Sequence, residues 1–305
     1  MGQYVLRRIL LCIPTLLGIS LFTFLLVHLS GDPADIVLPY DVTEETRQAF
    51  REKHGLDKPL WIQYYRFCGN ILKGDFGQSL RFEVPAGKLV LERLGATTEL
   101  AFAAMALAIV FGIPAGVVSA CHQKTPIDAL VRGFTVIGQA FPIFFLGLLS
   151  IIVFAVWLHL FPTGGRGTWQ QLILPAATLA THLIALIARF SRSCMLDVLR
   201  QNYIRTARAK GLKEWKVVYS HALRNALIPL VTVIGLQVGF LMGGVVVTEI
   251  VFSWPGIGRL AVQCIYARDF PVIQAIVFLS ATVFVVVNLI VDLLYSVLDP
   301  RIHYR

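Results

Sequence analysis

Long apolar runs alternate with short polar stretches along this chain, and their lengths predict helices that cross a membrane. Six runs stand out: Ile9–Leu29, Leu100–Cys121, Phe134–Leu158, Leu172–Ala188, Leu227–Phe252 and Val272–Leu298. An α-helix rises about 1.5 Å per residue, so roughly 20 apolar residues cover a hydrocarbon core about 30 Å thick. The fourth run is short and carries Thr178, Thr181 and His182. A helix that polar is tolerated inside a bundle but not against lipid. Arg7 and Arg8 before Ile9–Leu29 resemble the start of a secretory signal. The apolar stretch is longer than the usual h-region of roughly 7–15 residues and no A-x-A pattern follows, so it reads as a retained first span.

Composition agrees with the pattern. Of 305 residues 56% are apolar and 15% charged, against about a quarter charged in soluble domains. The net charge of +9 raises the question of a nucleic-acid partner. The distribution excludes one, because the basic residues lie between apolar runs rather than on one face of a domain. Alternate loops differ sharply in basic residues. The sides before the first, third and fifth runs and after the sixth hold fifteen Lys and Arg, whereas the opposite short loops hold only Arg166, Arg259 and Arg268. That bias predicts both termini in the cytoplasm. Cys12, Cys68, Cys121, Cys194 and Cys264 are scattered with no CxxC pairing and read as unpaired thiols, although a Cys68–Cys264 disulfide is conceivable on an oxidising side.

The chain divides into a first span (1–29), an insertion (30–99), a five-helix membrane core (100–298) with a basic loop at 189–226, and a tail (299–305). The insertion carries 11 acids against 9 bases and is predicted to lie outside. Thr43 followed by Glu44 and Glu45 reads as a helix start, with acids at the positive end of the dipole. Gly55 would end that helix, and Pro59 opens another whose Trp61, Tyr64, Tyr65 and Phe67 suit a membrane interface or a partner. In the basic loop, Asp197–Lys210 is predicted to be one helix, Gly211 its left-handed cap, and Lys213–Ala226 a second helix leading into the fifth span. Tyr203, Thr206, Ala207 and Lys210 share a face by their spacing. The small Ala207 and Ala209 would let that ridge sit deep in a partner's groove. The plainer alternative is a solvated basic loop attracted to anionic lipid.

Tyr203-Ile-Arg-Thr-Ala-Arg-Ala-Lys-Gly211-Leu, followed by His221-Ala-Leu-Arg-Asn-Ala-Leu-Ile-Pro229, strongly resembles the coupling loop of binding-protein-dependent ABC importer permeases. Arg205-Thr206-Ala207 stands where the family has Glu-Ala-Ala, Gly211 keeps its place, and His221–Arg224 replaces the end of the pattern. These departures look like the dipeptide, oligopeptide, nickel and glutathione branch. Further stretches resemble the same branch: Gly31-Asp32-Pro33, Gly55–Leu60, Gly74-Asp75-Phe76-Gly77, Phe252–Gly258, Arg268–Gln274 and Asp299–Ile302. Their order covers nearly the whole chain. The resemblance implies an all-α polytopic fold of the type I importer class in a bacterial inner membrane. It also implies coupling contacts through Tyr203, Arg205, Thr206, Ala207, Arg208, Ala209, Lys210, Gly211 and Leu212. The expected partners are a second homologous permease, two ATPase subunits and a periplasmic binding protein, together with membrane lipid.

No chemistry is evident in the chain itself. The only Gly-Lys pair, Gly87-Lys88, lacks the upstream glycine and following hydroxyl of a phosphate-binding loop, and neither HExxH nor GxSxG occurs. His28, His159 and His182 are isolated, so no metal site is expected, and ATP and Mg belong on partner subunits. Gln139, Gln237 and Glu249 lie at membrane depth, either lining a substrate path or hydrogen-bonding between helices. Asp292, near the cytoplasmic end, reads as structural. Gly239, Gly243 and Gly244 read as close helix packing. The expected cargo is a short peptide, with nickel, a metal chelate or glutathione as alternatives. A self-powered secondary transporter would show inverted repeats and broken helices; an intramembrane enzyme would show a nucleophile–base pair. No convincing repeat and no such pair is present.

Overall fold

A computed structural model of the chain describes residues 2–29, 42–54, 57–242 and 245–298. Gly31-Asp32-Pro33, Gly55-Leu56, Gly243-Gly244 and the tail from Asp299 onward lie outside the described residues. The helices are α1 (Gly2–Leu29), α2 (Glu44–His54), α3 (Leu60–Leu72), α4 (Ala86–Cys121), α5 (Pro126–Ala140), α6 (Ile143–Ser150), α7 (Trp169–Leu199), α8 (Asn202–Ala209), α9 (Glu214–Lys216), α10 (Arg224–Met242), α11 (Val246–Val251), α12 (Ile257–Tyr266) and α13 (Phe270–Leu298). π-Helical turns over Ile151–Trp157 and Val217–Leu223 extend α6 and α9. Among the described residues there is no strand, only a bridge between Gln78 and Pro85.

Five stretches are long and apolar enough to cross a membrane, and α5 with α6, bent by 98° at their junction, makes a sixth if the pair is counted as one span. The bend divides the expected span over Phe134–Leu158 between two helices. Proline disfavours helical backbone in the residue before it, and Phe141, preceding Pro142, is extended at φ −88°, ψ 134°. A correction concerns the fifth run. α10 ends at Met242, and Val246–Val251 is a separate short helix. Residues 86–99 of the insertion are helical and continuous with the second span, in α4, whose 36 residues run on to Cys121. At about 1.5 Å per residue that helix outreaches a bilayer core of about 30 Å, so one end projects.

α4 and α7 form the centre. Ala101, Ala104 and Ala108 of α4 meet Ala176, Ala180 and Ile187 of α7 in the largest buried cluster. A Cβ on Gly116 would lie 2.5 Å from the Ala188 carbonyl oxygen, so the backbones touch, as small residues permit in membrane bundles. The polar fourth run thus becomes the most enclosed span, with Thr178 buried and its hydroxyl 3.3 Å from that of Ser150. α10 packs against α13 just as closely, because a Cβ on Gly235 would overlap Val291 and one on Gly239 would sit 3.1 Å from Phe284.

α1 lies outside this core against α13. Near one end Arg8 pairs with Asp292 at 2.8 Å, consistent with the structural reading of Asp292. Near the other, Ser20 hydrogen-bonds Tyr64 of α3 at 2.8 Å, and Phe24 meets the Tyr64 ring edge-on at 5.5 Å. Trp61 and Tyr65 point outward from the same helix. All five cysteines are free, and Cys264 is buried in the core, so Cys68 and Cys264 form no disulfide.

Candidate functional site

The basic loop folds into a short helix rooted in the bundle. The expected continuous helix over Asp197–Lys210 is instead broken: α7 ends at Leu199, and Gln201 takes an extended backbone before α8 begins. At the far side of α8 the Gly211 N–H donates to the Arg208 carbonyl at 2.9 Å and the Leu212 N–H to that of Ala207 at 3.4 Å. Gly211 has φ +75°. This pair of bonds around a left-handed glycine is a Schellman closure, normally accompanied by an apolar contact across the turn. Here Ala207 and Leu212 join one apolar cluster with Ile204, Met195, Val117 and Val217.

That packing rotates the expected ridge. Ile204 and Ala207, three residues apart, face inward and are buried, whereas Asn202, Arg205, Thr206 and Ala209 face out. Ala207 is therefore a root and not part of the exposed surface, while Tyr203, Lys210 and Gly211 remain exposed and Leu212 is half-buried. Tyr203 accepts a hydrogen bond from the Asn225 side chain of α10 at 3.0 Å. Arg208 grips Glu214 across the turn at 2.6 Å, and this hydrogen bond pulls the guanidinium pKa further up. α8 is thereby tied to α4, α7 and α10 together.

Beside it lies a buried ion pair that the sequence reading did not single out. Asp128, in the first turn of α5, is only 1% exposed. Arg192 of α7 clasps it with Nε at 2.9 Å and Nη2 at 3.0 Å, and the Ser119 hydroxyl of α4 donates at 2.6 Å. Arg132 adds a fourth contact at 3.5 Å. A bidentate arginine–carboxylate pair fixes orientation as well as distance, so this lock sets α4, α5 and α7 relative to one another. The available signal was an acid just after Thr125-Pro126, a helix-start pair, in a stretch otherwise basic.

Opposite the basic loop, Glu249 hydrogen-bonds between helices, one of the two roles its place in the sequence allowed. It is fully buried, and its carboxylate accepts from the Thr97 hydroxyl at 2.7 Å and the Arg259 backbone N–H at 2.8 Å, which anchors the N-terminus of α12. Trp254, equally buried, donates its indole N–H to the Ala96 carbonyl at 2.8 Å. The Phe252–Gly258 stretch is thus a clasp that holds α11 and α12 to α4. Gln139, at the end of α5 beside the bend, and Gln237, on α10, are half-buried and make no side-chain hydrogen bond among the described residues. The structure does not bring these three residues to one site.

Residues 112–304 match the family model of the binding-protein-dependent transport system inner membrane component, and residues 1–101 match the N-terminal model of such components. The chain belongs to this family of ABC importer permeases, which are multi-pass proteins of the inner membrane. It is 44% identical over 306 residues to the glutathione transport system permease protein GsiC of Escherichia coli (strain K12), covering 100% of both chains. It is also 44% identical over 316 residues to the oligopeptide transport system permease protein AppB of Bacillus subtilis (strain 168), again over 100% of both. Among solved structures, an inward-facing form of the MetNI methionine ABC transporter superposes with a TM-score of 0.59 at 18% identity, over 69% of this chain and 96% of that one. An amino acid ABC transporter crystallised with histidines gives 0.53 at 16% identity, over 70% and 94%.

Proposed function

We propose that this permease forms half of the path of an ATP-driven importer for short peptides or glutathione, with both termini and α8 in the cytoplasm. The cargo class rests on the two relatives at 44% identity. The orientation rests on the excess of Lys and Arg at the end that bears α8. A second permease completes the path, a periplasmic protein delivers cargo, and two ATPase subunits bind ATP and Mg.

One observation carries the mechanism: α8 exposes Asn202, Arg205, Thr206 and Ala209 while Ile204 and Ala207 root it in the bundle. An ATPase that grips the exposed face and moves on nucleotide binding drags this root, and with it α7 and α10. A short capped helix moves as a unit, so the push shifts the bundle between inward- and outward-open states and is not lost in loop bending. Nucleotide binding supplies the free-energy difference between those states. Tyr203, Arg208, Lys210, Gly211 and Leu212 shape and close the coupling helix. Gln139 and Gln237 lend the path polar groups, and Glu249 holds its outer rim together.

The test is reconstitution. The chain alone in liposomes should show no uptake with an ion gradient, whereas the full complex with its binding protein should take up cargo only with ATP. Gradient-driven uptake by the lone chain would overturn the proposal in favour of a secondary transporter.

A further inference from the structure

We infer that the end of the bundle opposite α8 carries a carboxylate-binding pocket between α4 and α12; its placement on the outer face rests on the importer reading above. The cavity holds about 140 Å³ and is lined by Arg93, Pro255, Gly256, Arg259, Leu260 and Gln263. A space that small accepts one carboxylate group rather than a whole cargo molecule.

Charge decides what enters it. Arg93 is half-buried and has no acidic partner among the described residues. Arg259 commits one guanidinium nitrogen to the Ser253 carbonyl at 2.7 Å. A guanidinium carries five N–H donors, which leaves Arg259 capacity toward the cavity. The opposing charge nearby is already engaged. Glu249 lies directly behind Gly256, where an added Cβ would overlap its carboxylate. Both Glu249 oxygens are held, by Thr97 and by the Arg259 backbone. Among the described residues it pairs with neither guanidinium, so both remain available to the opening. Arg81, which donates to the Gln263 carbonyl at 3.4 Å, stands beside Asp269, whose carboxylate accepts from the Arg81 backbone N–H at 3.2 Å. Two guanidiniums held on separate helices suit a planar carboxylate, which arginine grips through paired N–H bonds.

Such a carboxylate has two sources on the outer face: the terminus of a peptide cargo, or an acidic side chain on the docking binding protein. The experiment uses the complete importer in nanodiscs and measures ATPase activity against binding-protein concentration. The probes are a tripeptide and its C-terminal amide. Arg93→Glu should raise the half-saturating concentration about tenfold at low salt and less at high salt, with Arg93→Lys nearer wild type. Gln263→Glu, which places a carboxylate on the same rim, should act in the same direction. A shift of equal size with both peptides assigns the carboxylate to the binding protein; a shift confined to the free acid assigns it to cargo. If wild type is stimulated and neither Arg93→Glu nor Gln263→Glu moves the curve with either peptide, the pocket is no such site. If wild type itself is unstimulated by loaded binding protein, the importer reading fails first and the pocket's role with it.

Discussion

Aspartate introduced at Ala207 or at Ala209 tests the two faces of α8 against each other. Ala207 is 8% exposed and packs in an apolar cluster with Ile204, Met195 and Val217. An uncompensated carboxylate there costs about 3–5 kcal/mol. Full burial of Ile204, the main apolar anchor of this eight-residue helix, contributes only about 1.5–3 kcal/mol. The penalty therefore matches or exceeds the anchor, and α8 should leave the bundle. At about 1.4 kcal/mol per tenfold change, its detached population rises by two orders of magnitude or more. Ala209 is exposed, and Ala209→Asp places a negative charge at the negative end of the helix dipole, costing about 0.3–1 kcal/mol. Trypsin reports the difference, because Arg205, Arg208 and Lys210 lie in or beside α8. Purified Ala207→Asp should be cut in this loop far faster than wild type. Ala209→Asp should resist like wild type yet lose copurifying ATPase. Wild-type resistance in Ala207→Asp would show that the cluster does not hold α8, and full ATPase retention by Ala209→Asp would show that the exposed face is not the docking surface.

Gly211→Val should lower binding-protein-stimulated ATPase activity while insertion stays normal. Nothing lies within 4 Å of a Cβ there, so the cost of about 1 kcal/mol or more is backbone strain at φ +75° alone; undiminished stimulation would contradict it. Asp128→Asn deprives Arg192 of its paired anion and should lower the thermal midpoint by the equivalent of about 3–5 kcal/mol. Asp128→Asn with Arg192→Gln should recover part of that loss. Trp254→Phe removes the donor to the buried Ala96 carbonyl, at about 1–3 kcal/mol, and should loosen α11 and α12 as read by hydrogen exchange. In intact cells an impermeant thiol reagent should label Gly74→Cys but not Gly211→Cys. A labelled Gly211→Cys would invert the proposed orientation.

The apolar runs by themselves marked which stretches would be helices long enough to cross a membrane, because a bilayer makes run length a physical requirement rather than a preference. The left-handed turn at Gly211 was equally legible, since a glycine after an alanine-rich helical stretch is a local backbone signal. What tertiary structure decided was facing and breakage. Helical spacing put Tyr203, Thr206, Ala207 and Lys210 on one side, but it could not say which stripe of α8 the bundle would cover. Packing against Met195 and Val217 chose the Ile204–Ala207 stripe and turned Ala207 inward. The fifth run looked continuous through Phe252, and only the anchoring of α12 by Glu249, a contact made across the fold with Thr97, explains why a carboxylate is buried there. Asp128 and Arg192 lie 64 residues apart in sequence. Their pairing depends on α4 and α7 meeting backbone to backbone at Gly116, a closeness set by how the small residues of two separate helices fit together.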